Sequence, residues 1–172
     1  MPDSSLCDPQ VAQQLLMYRL NRVMAVSGSL VIRLCEGGYG ITRREWGLLM
    51  WLVQQPGLPP AALAERLGLD RARTSRAITS LCAKRLITRE PQPGDQRKAR
   101  LAPTAEGRAV YEALFPQVRV LNLALLEGLS AADIAALDTA LARLQANADA
   151  LRSTQDAQLP RTYRLRGGRA PG

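Results

Sequence analysis

The sequence predicts a mainly α (α+β) fold, a run of helices interrupted once by a small β-hairpin. Three observations carry that prediction. Apolar residues make up 47% of the 172-residue chain but aromatics only 4%, and Leu, Ala and Val dominate, which suits helices better than a β-sandwich. Apolar positions recur at spacings of three and four over most of the length. One stretch departs from that period: "LITRE", "PQPGDQ" and "RKARLA", from residue 86 to 102, read as strand, turn and returning strand.

Residues 9 to about 36 carry the first helical period, with Leu16, Leu20, Val23, Met24, Val31 and Leu34 on one broad face, and "GGYG" at 37–40 ends it. Thr42 and Glu45 form a capping box for a second helix, on which Trp46, Leu49, Met50 and Val53 share a face until Pro56–Gly57 stops it. Proline opens a short helix in "PPAALAERLG" and Gly68 closes it. Asp70 then caps "RARTSRAITSLCAKR" after only two intervening residues. Two short helices around a tight glycine turn, followed at once by a hairpin, are the sequence image of a winged helix-turn-helix with a small β-hairpin wing.

Thr104 caps the next helix, whose face is Val110, Leu114, Val118, Leu121 and Leu125 and which Pro116 is expected to kink. Gly128 ends it, and Ser130 with Asp133 starts a last helix. There Ile134, Leu137, Leu141, Leu144, Ala148 and Leu151 form a seam suited to a partner helix. The expected organisation is therefore helical segments at 9–36 and 104–153 flanking a helix-turn-helix with its hairpin at 41–103, and a basic, disordered tail (155–172).

The formal net charge is +8, and the 23 basic residues comprise 21 Arg and two Lys. Between residues 66 and 100 there are ten basic residues and three acids, so seven of the net eight charges lie in about a fifth of the chain. That concentration predicts a nucleic-acid surface. With no histidine, no metal-spaced cysteine pair and no phosphate-cradling glycine loop, neither an enzyme nor a metal or cofactor site is expected. Cys7, Cys35 and Cys82 are too scattered for a disulfide frame and read as reduced thiols of a cytoplasmic protein. No signal peptide or membrane-crossing run is visible.

A helix entering the major groove brings its N-terminal side chains to base edges. On a helical wheel Arg73, Arg76, Ser80 and Lys84 gather on one arc, and Thr74, Ala77, Ile78, Leu81 and Cys82 on the other. The expected duplex contacts are Arg71, Arg73, Thr74, Ser75, Arg76 and Ser80 from the helix. From the hairpin they are Arg97, Lys98 and Arg100, with Asp95 bracing Arg97.

"ITRREWGLLMWL", "LAERLGLDRARTSRAITSLCAKRLITR", "GDQRKAR" and "PTAEGR" resemble, in order and spacing, the MarR family of winged-helix regulators. The likeness is tight over 41–108 and looser over 10–153. It implies a helical dimerisation region (9–36 and 104–153) and a winged helix-turn-helix DNA-binding domain (41–103) with a recognition helix at 71–84 and a small β-hairpin wing at 88–101. It also implies a homodimer that represses genes from double-stranded DNA until a small aromatic carboxylate or phenolic effector binds. An effector pocket in that architecture is expected near Tyr18, Arg22, Tyr39, Arg43, Trp46 and Tyr111. Three departures stand out, one being the basic C-terminal tail, which exceeds the family pattern and is expected to add non-specific DNA affinity. Arg85 replaces the family's glycine after the recognition helix, and Pro103 replaces a leucine and is expected to end the wing strand early. Two other readings stay open: a repressor of the same fold that senses oxidants through a cysteine, and a winged-helix protein that binds duplex or a protein partner without sequence preference.

Overall fold

The computed structural model describes residues 5–92 and 95–155, without the side chains of 92, 95–98 and 155. The predicted tail at 155–172 therefore lies almost wholly outside the described residues. The elements are α1 (Leu16–Arg33), α2 (Arg43–Gln54), α3 (Pro60–Arg66), α4 (Arg71–Ala83), β1 (Ile87–Gln92), β2 (Asp95–Pro103), α5 (Ala105–Leu125) and α6 (Ala131–Gln155). The chain divides into two compact units, residues 1–125 and 126–172.

In the first unit the core is built where α2, α3 and α4 meet the hairpin and the start of α5. Leu48, Leu49, Leu52, Leu63, Leu81, Leu101 and Leu114 are fully buried there. The predicted stops and starts are local and hold. Thr42 and Glu45 cap α2 reciprocally, Asp70 caps α4, and Gly57 and Gly68 take the left-handed conformations that their turns demand. The strands pair antiparallel from Ile87↔Pro103 outward, with an irregularity between Pro91 and Gln92. Leu101 also exchanges backbone hydrogen bonds with the segment before α3, through Gly57 and Leu58. That ties the hairpin's base to the helices.

Two expectations are corrected. The first long helix begins at Leu16 rather than 9, preceded by a single 3-10 turn at Ala12–Gln14 and followed by a π-helical turn at Leu34–Gly38. Of the apolar face read from its period, Val31 and Leu34 pack on the core, whereas Val23 and Met24 are exposed by 57% and 51%. Pro103 does not cut the wing short: β2 runs through it, because at a strand's last residue a missing N–H leaves the ladder intact. Helix α5 is continuous through Pro116.

The second unit is α6 behind its cap. Ser130 Oγ accepts from Asp133 N at 3.1 Å, and Asp133 Oδ2 accepts from Ser130 N at 3.1 Å. Its seam residues Ile134, Leu137, Leu141 and Leu151 are exposed.

Candidate nucleic-acid interface and adjoining cavity

Helix α4 is set by Asp70. Its Oδ1 accepts the Arg73 N–H at 2.7 Å, and Oδ2 pairs with Arg73 Nε at 3.2 Å. Arg71, Ser75 and Arg76 are exposed on the same helix, and no acid follows Asp70 within it. The apolar arc packs inward as predicted, with Ala77, Ile78 and Leu81 buried.

One nominated base contact is corrected by this geometry. Thr74 is 2% exposed, and its hydroxyl donates to the Asp70 carbonyl at 2.9 Å, so it closes the helix's first turn. Ser80 is half-buried on the same helix.

Glu45 is the centre that sequence reasoning missed. It is 2% exposed, accepts from Thr42 N at 2.6 Å, and holds Lys84 Nζ at 2.8 and 3.0 Å. Lys84 also donates to the Gly40 carbonyl at 2.7 Å. Burial pushes the Glu45 carboxyl pKa up, but hydrogen bonds from Lys84, Ser80 and Thr42 and the Lys84 charge outweigh it and leave it lowered. Lys84, placed by the wheel on the cationic arc, is thus a strut between the start of α2 and the end of α4. The capping-box motif disguised this second task, since it already gives Glu45 a complete local role.

Beyond Lys84 the chain turns with Arg85 at φ 58°, a left-handed residue that donates to Cys82 while Leu86 N donates to Leu81 O. This is the glycine-type helix ending made with an arginine. Thr104 N donates to Leu86 O, and Thr104 Oγ1 donates to Arg85 O and accepts from Gly107 N at 3.0 Å. A Cβ on Gly107 would lie 2.0 Å from Leu86 O, so only glycine fits.

In the hairpin, Arg100 is exposed and paired in register with Glu90. The backbones of Asp95, Arg97 and Lys98 lie in β2, but their side chains, and with them the expected Asp95–Arg97 brace, are outside the described residues.

A cavity of about 420 Å³ opens between α1, α2 and α5, walled by Met24, Val31, Trp46, Met50, Val118 and Leu121. Arg43 stands at its rim, with Nη1 3.0 Å from where a Cβ on Gly28 would sit. Glycine at 28 therefore leaves room for the guanidinium. Of the six expected pocket residues, only Arg43 and Trp46 line this cavity. Tyr111 stacks on Trp46 from behind at 5.5 Å between centroids, and the Tyr39 hydroxyl accepts from Gln117 Nε2 at 2.5 Å. Tyr18 is exposed, and Arg22 lines a separate shallow groove along α1. Helical periodicity placed them near one another but could not decide which rotated into the cavity.

Cys35 is fully buried, and desolvation foremost, with Glu36, raises its pKa; Cys7 is exposed and Cys82 half-buried. Among the described residues no cluster of metal-ligating side chains occurs, and no helix is long and apolar enough to cross a membrane.

Residues 39–98 match the profile of the MarR family. Over 74 residues, 43% of this chain and 49% of the other, the sequence is 31% identical to YybA of Bacillus subtilis (strain 168), described as an uncharacterized HTH-type transcriptional regulator. The chain spans less than half the length of the curated relatives it matches. A MarR family regulator from Silicibacter pomeroyi superposes with a TM-score of 0.70 at 27% identity, covering 78% of this chain and 90% of that one. BpsR of Bordetella bronchiseptica, whose DNA binding is regulated by 6-hydroxynicotinic acid, gives 0.71 at 20% identity over 80% and 97%. At that identity the likeness is one of fold.

Proposed function

Starting from a MarR-family winged helix at residues 39–98, we propose that this protein is a homodimeric, sequence-specific DNA-binding transcriptional repressor. A small aromatic carboxylate or phenolic compound in the α1–α2–α5 cavity releases it from its operator. The observation that carries this reading is the exposed cationic face of α4. Arg71 and Arg76 stand exposed there, with the half-buried Arg73 between them, beyond a single capping acid, and Arg100 is exposed on the adjoining hairpin.

The dimer reading rests on unpaired apolar surface. Met17, Val23 and Val26 of α1 and Leu137, Leu141 and Leu151 of α6 are all exposed in the single chain. Residues 9–36 and 104–153 are the proposed dimerisation region, with 41–103 as the DNA-binding domain. A two-fold pair of recognition helices calls for half-sites about 10 bp apart, or a multiple.

Support for the effector is chemical. An arginine at the rim of an apolar, tryptophan-walled cavity suits a carboxylate on a flat ring, and a hydroxynicotinic acid regulates the similarly folded BpsR. The buried thiol of Cys35, with its raised pKa, does not favour oxidant sensing there.

Selection from a randomised duplex pool, followed by anisotropy titration of the selected and a scrambled duplex between 50 and 200 mM salt, tests the reading. A ratio of affinities above roughly a hundredfold at the higher salt is expected. Equal binding to both duplexes would reduce the protein to a non-specific binder.

A further inference from the structure

Arg73 differs from Arg71 and Arg76, the exposed arginines of α4, because among the described residues it alone on that helix is in an ion pair. The partner is the helix's own cap. Asp70 uses one carboxylate oxygen for the Arg73 N–H and the other for the Arg73 Nε, at 2.7 and 3.2 Å. One residue thus fixes both the backbone and the side chain of the next-but-two position. An exposed pair at this spacing adds little to stability, and half of the Asp70 side chain faces water (56%). Its consequence is directional. With Nε engaged, the guanidinium presents its end-on donors, Nη1–H and Nη2–H, and 35% of the side chain remains exposed.

Resting on the sequence-specific reading above, we infer that Asp70 is a positioning residue that determines base specificity through Arg73. It holds an end-on arginine fork matched to the O6 and N7 acceptors of a guanine in the major groove. A guanidinium held in advance loses less side-chain freedom on binding. The carboxylate adds a penalty of its own, because a negative charge beside the fork repels phosphates and so disfavours off-site docking.

Asp70→Asn separates the two tasks of this side chain. Its Oδ1 still accepts the Arg73 N–H and caps α4, whereas its amide presents a donor to Nε and cannot hold it. Selection from the randomised duplex pool is run on the full chain and on the variant, each checked by circular dichroism. The expected result is that one guanine column per half-site loses about tenfold in preference. Binding to scrambled duplex is expected to rise about twofold or more as one negative charge is removed. The other columns stay as they are. If the wild type enriches a motif and Asp70→Asn enriches the same motif with the same guanine preference, the inference is overturned while the regulator reading survives. A wild type that enriches nothing overturns the regulator reading and the inference with it. Should Asp70→Asn fail to fold, Arg73→Lys, which leaves the cap intact, must lose the same guanine column, and retention of that column overturns the inference.

Discussion

Lys84→Met keeps the length and apolar stem of the side chain and removes only the ammonium. In the wild-type protein that ammonium makes three contacts, two to the Glu45 carboxylate at 2.8 and 3.0 Å and one to the Gly40 carbonyl at 2.7 Å. Glu45 is 2% exposed, so its charge has no solvent to fall back on, while the Lys84 side chain is 35% exposed. Breaking a fully buried pair costs about 3–5 kcal/mol, and a single charge-assisted hydrogen bond about 1.5–3. Access of water to Lys84 places this substitution at the lower figure, about 2 kcal/mol, or roughly 4–8 °C in Tm for a chain of this size. The Glu45 pKa is lowered in the folded protein. Its stabilisation is therefore fully present above the unfolded value near 4.3 and is lost as pH falls through the folded value beneath it. In Lys84→Met only the hydrogen bonds from Ser80 and Thr42 still oppose burial, so the carboxyl protonates at higher pH than in wild type and the difference between the two proteins shrinks as pH falls. Urea denaturation at fixed protein concentration, at pH 7 and pH 3.5, reads both effects. Glu45→Gln, which retains a capping box, completes a double-mutant cycle with an expected coupling of about 1 kcal/mol or more. A Lys84→Met loss under about 0.5 kcal/mol at pH 7, or one equally large at pH 3.5, would refute the strut.

Gly107→Ala drives a methyl to 2.0 Å from Leu86 O, in a stretch pinned by Thr104, and is expected to cost about 3 kcal/mol or more in thermal or urea unfolding. Arg85→Gly relieves a left-handed arginine at φ 58° and should stabilise by about 0.5–1 kcal/mol in the same assay; a loss would mean that the arginine side chain contributes more than the strain removes. Arg43→Met leaves the cavity's apolar walls intact, so a carboxylate found by thermal-shift screening should bind about tenfold or more weakly by calorimetry, with folding unchanged. Equal affinity would place the carboxylate elsewhere.

What the sequence determined by itself is what short-range chemistry decides. The caps at Thr42–Glu45, Asp70, Thr104 and Ser130–Asp133 are hydrogen bonds within three residues, so their motifs fix where helices begin. The cationic face of α4 and the hairpin behind it follow from period and composition, which need no partner element to be visible. Tertiary packing alone decided the rest. Glu45 and Lys84 are 39 residues apart, and nothing local announces that the end of α4 lies over the start of α2. Thr74 is a polar residue whose hydroxyl finds its acceptor inside the fold, so polarity pointed outward where geometry points in. The same holds for the cavity: a helical period gives a residue's face, but only the docking of α5 on α2 and of α1 on α5 puts Arg43 and Trp46 on its wall and leaves Tyr18, Arg22, Tyr39 and Tyr111 outside. A contact between distant segments is set by the balance of burial and desolvation over the whole core, a sum that no local stretch of sequence contains.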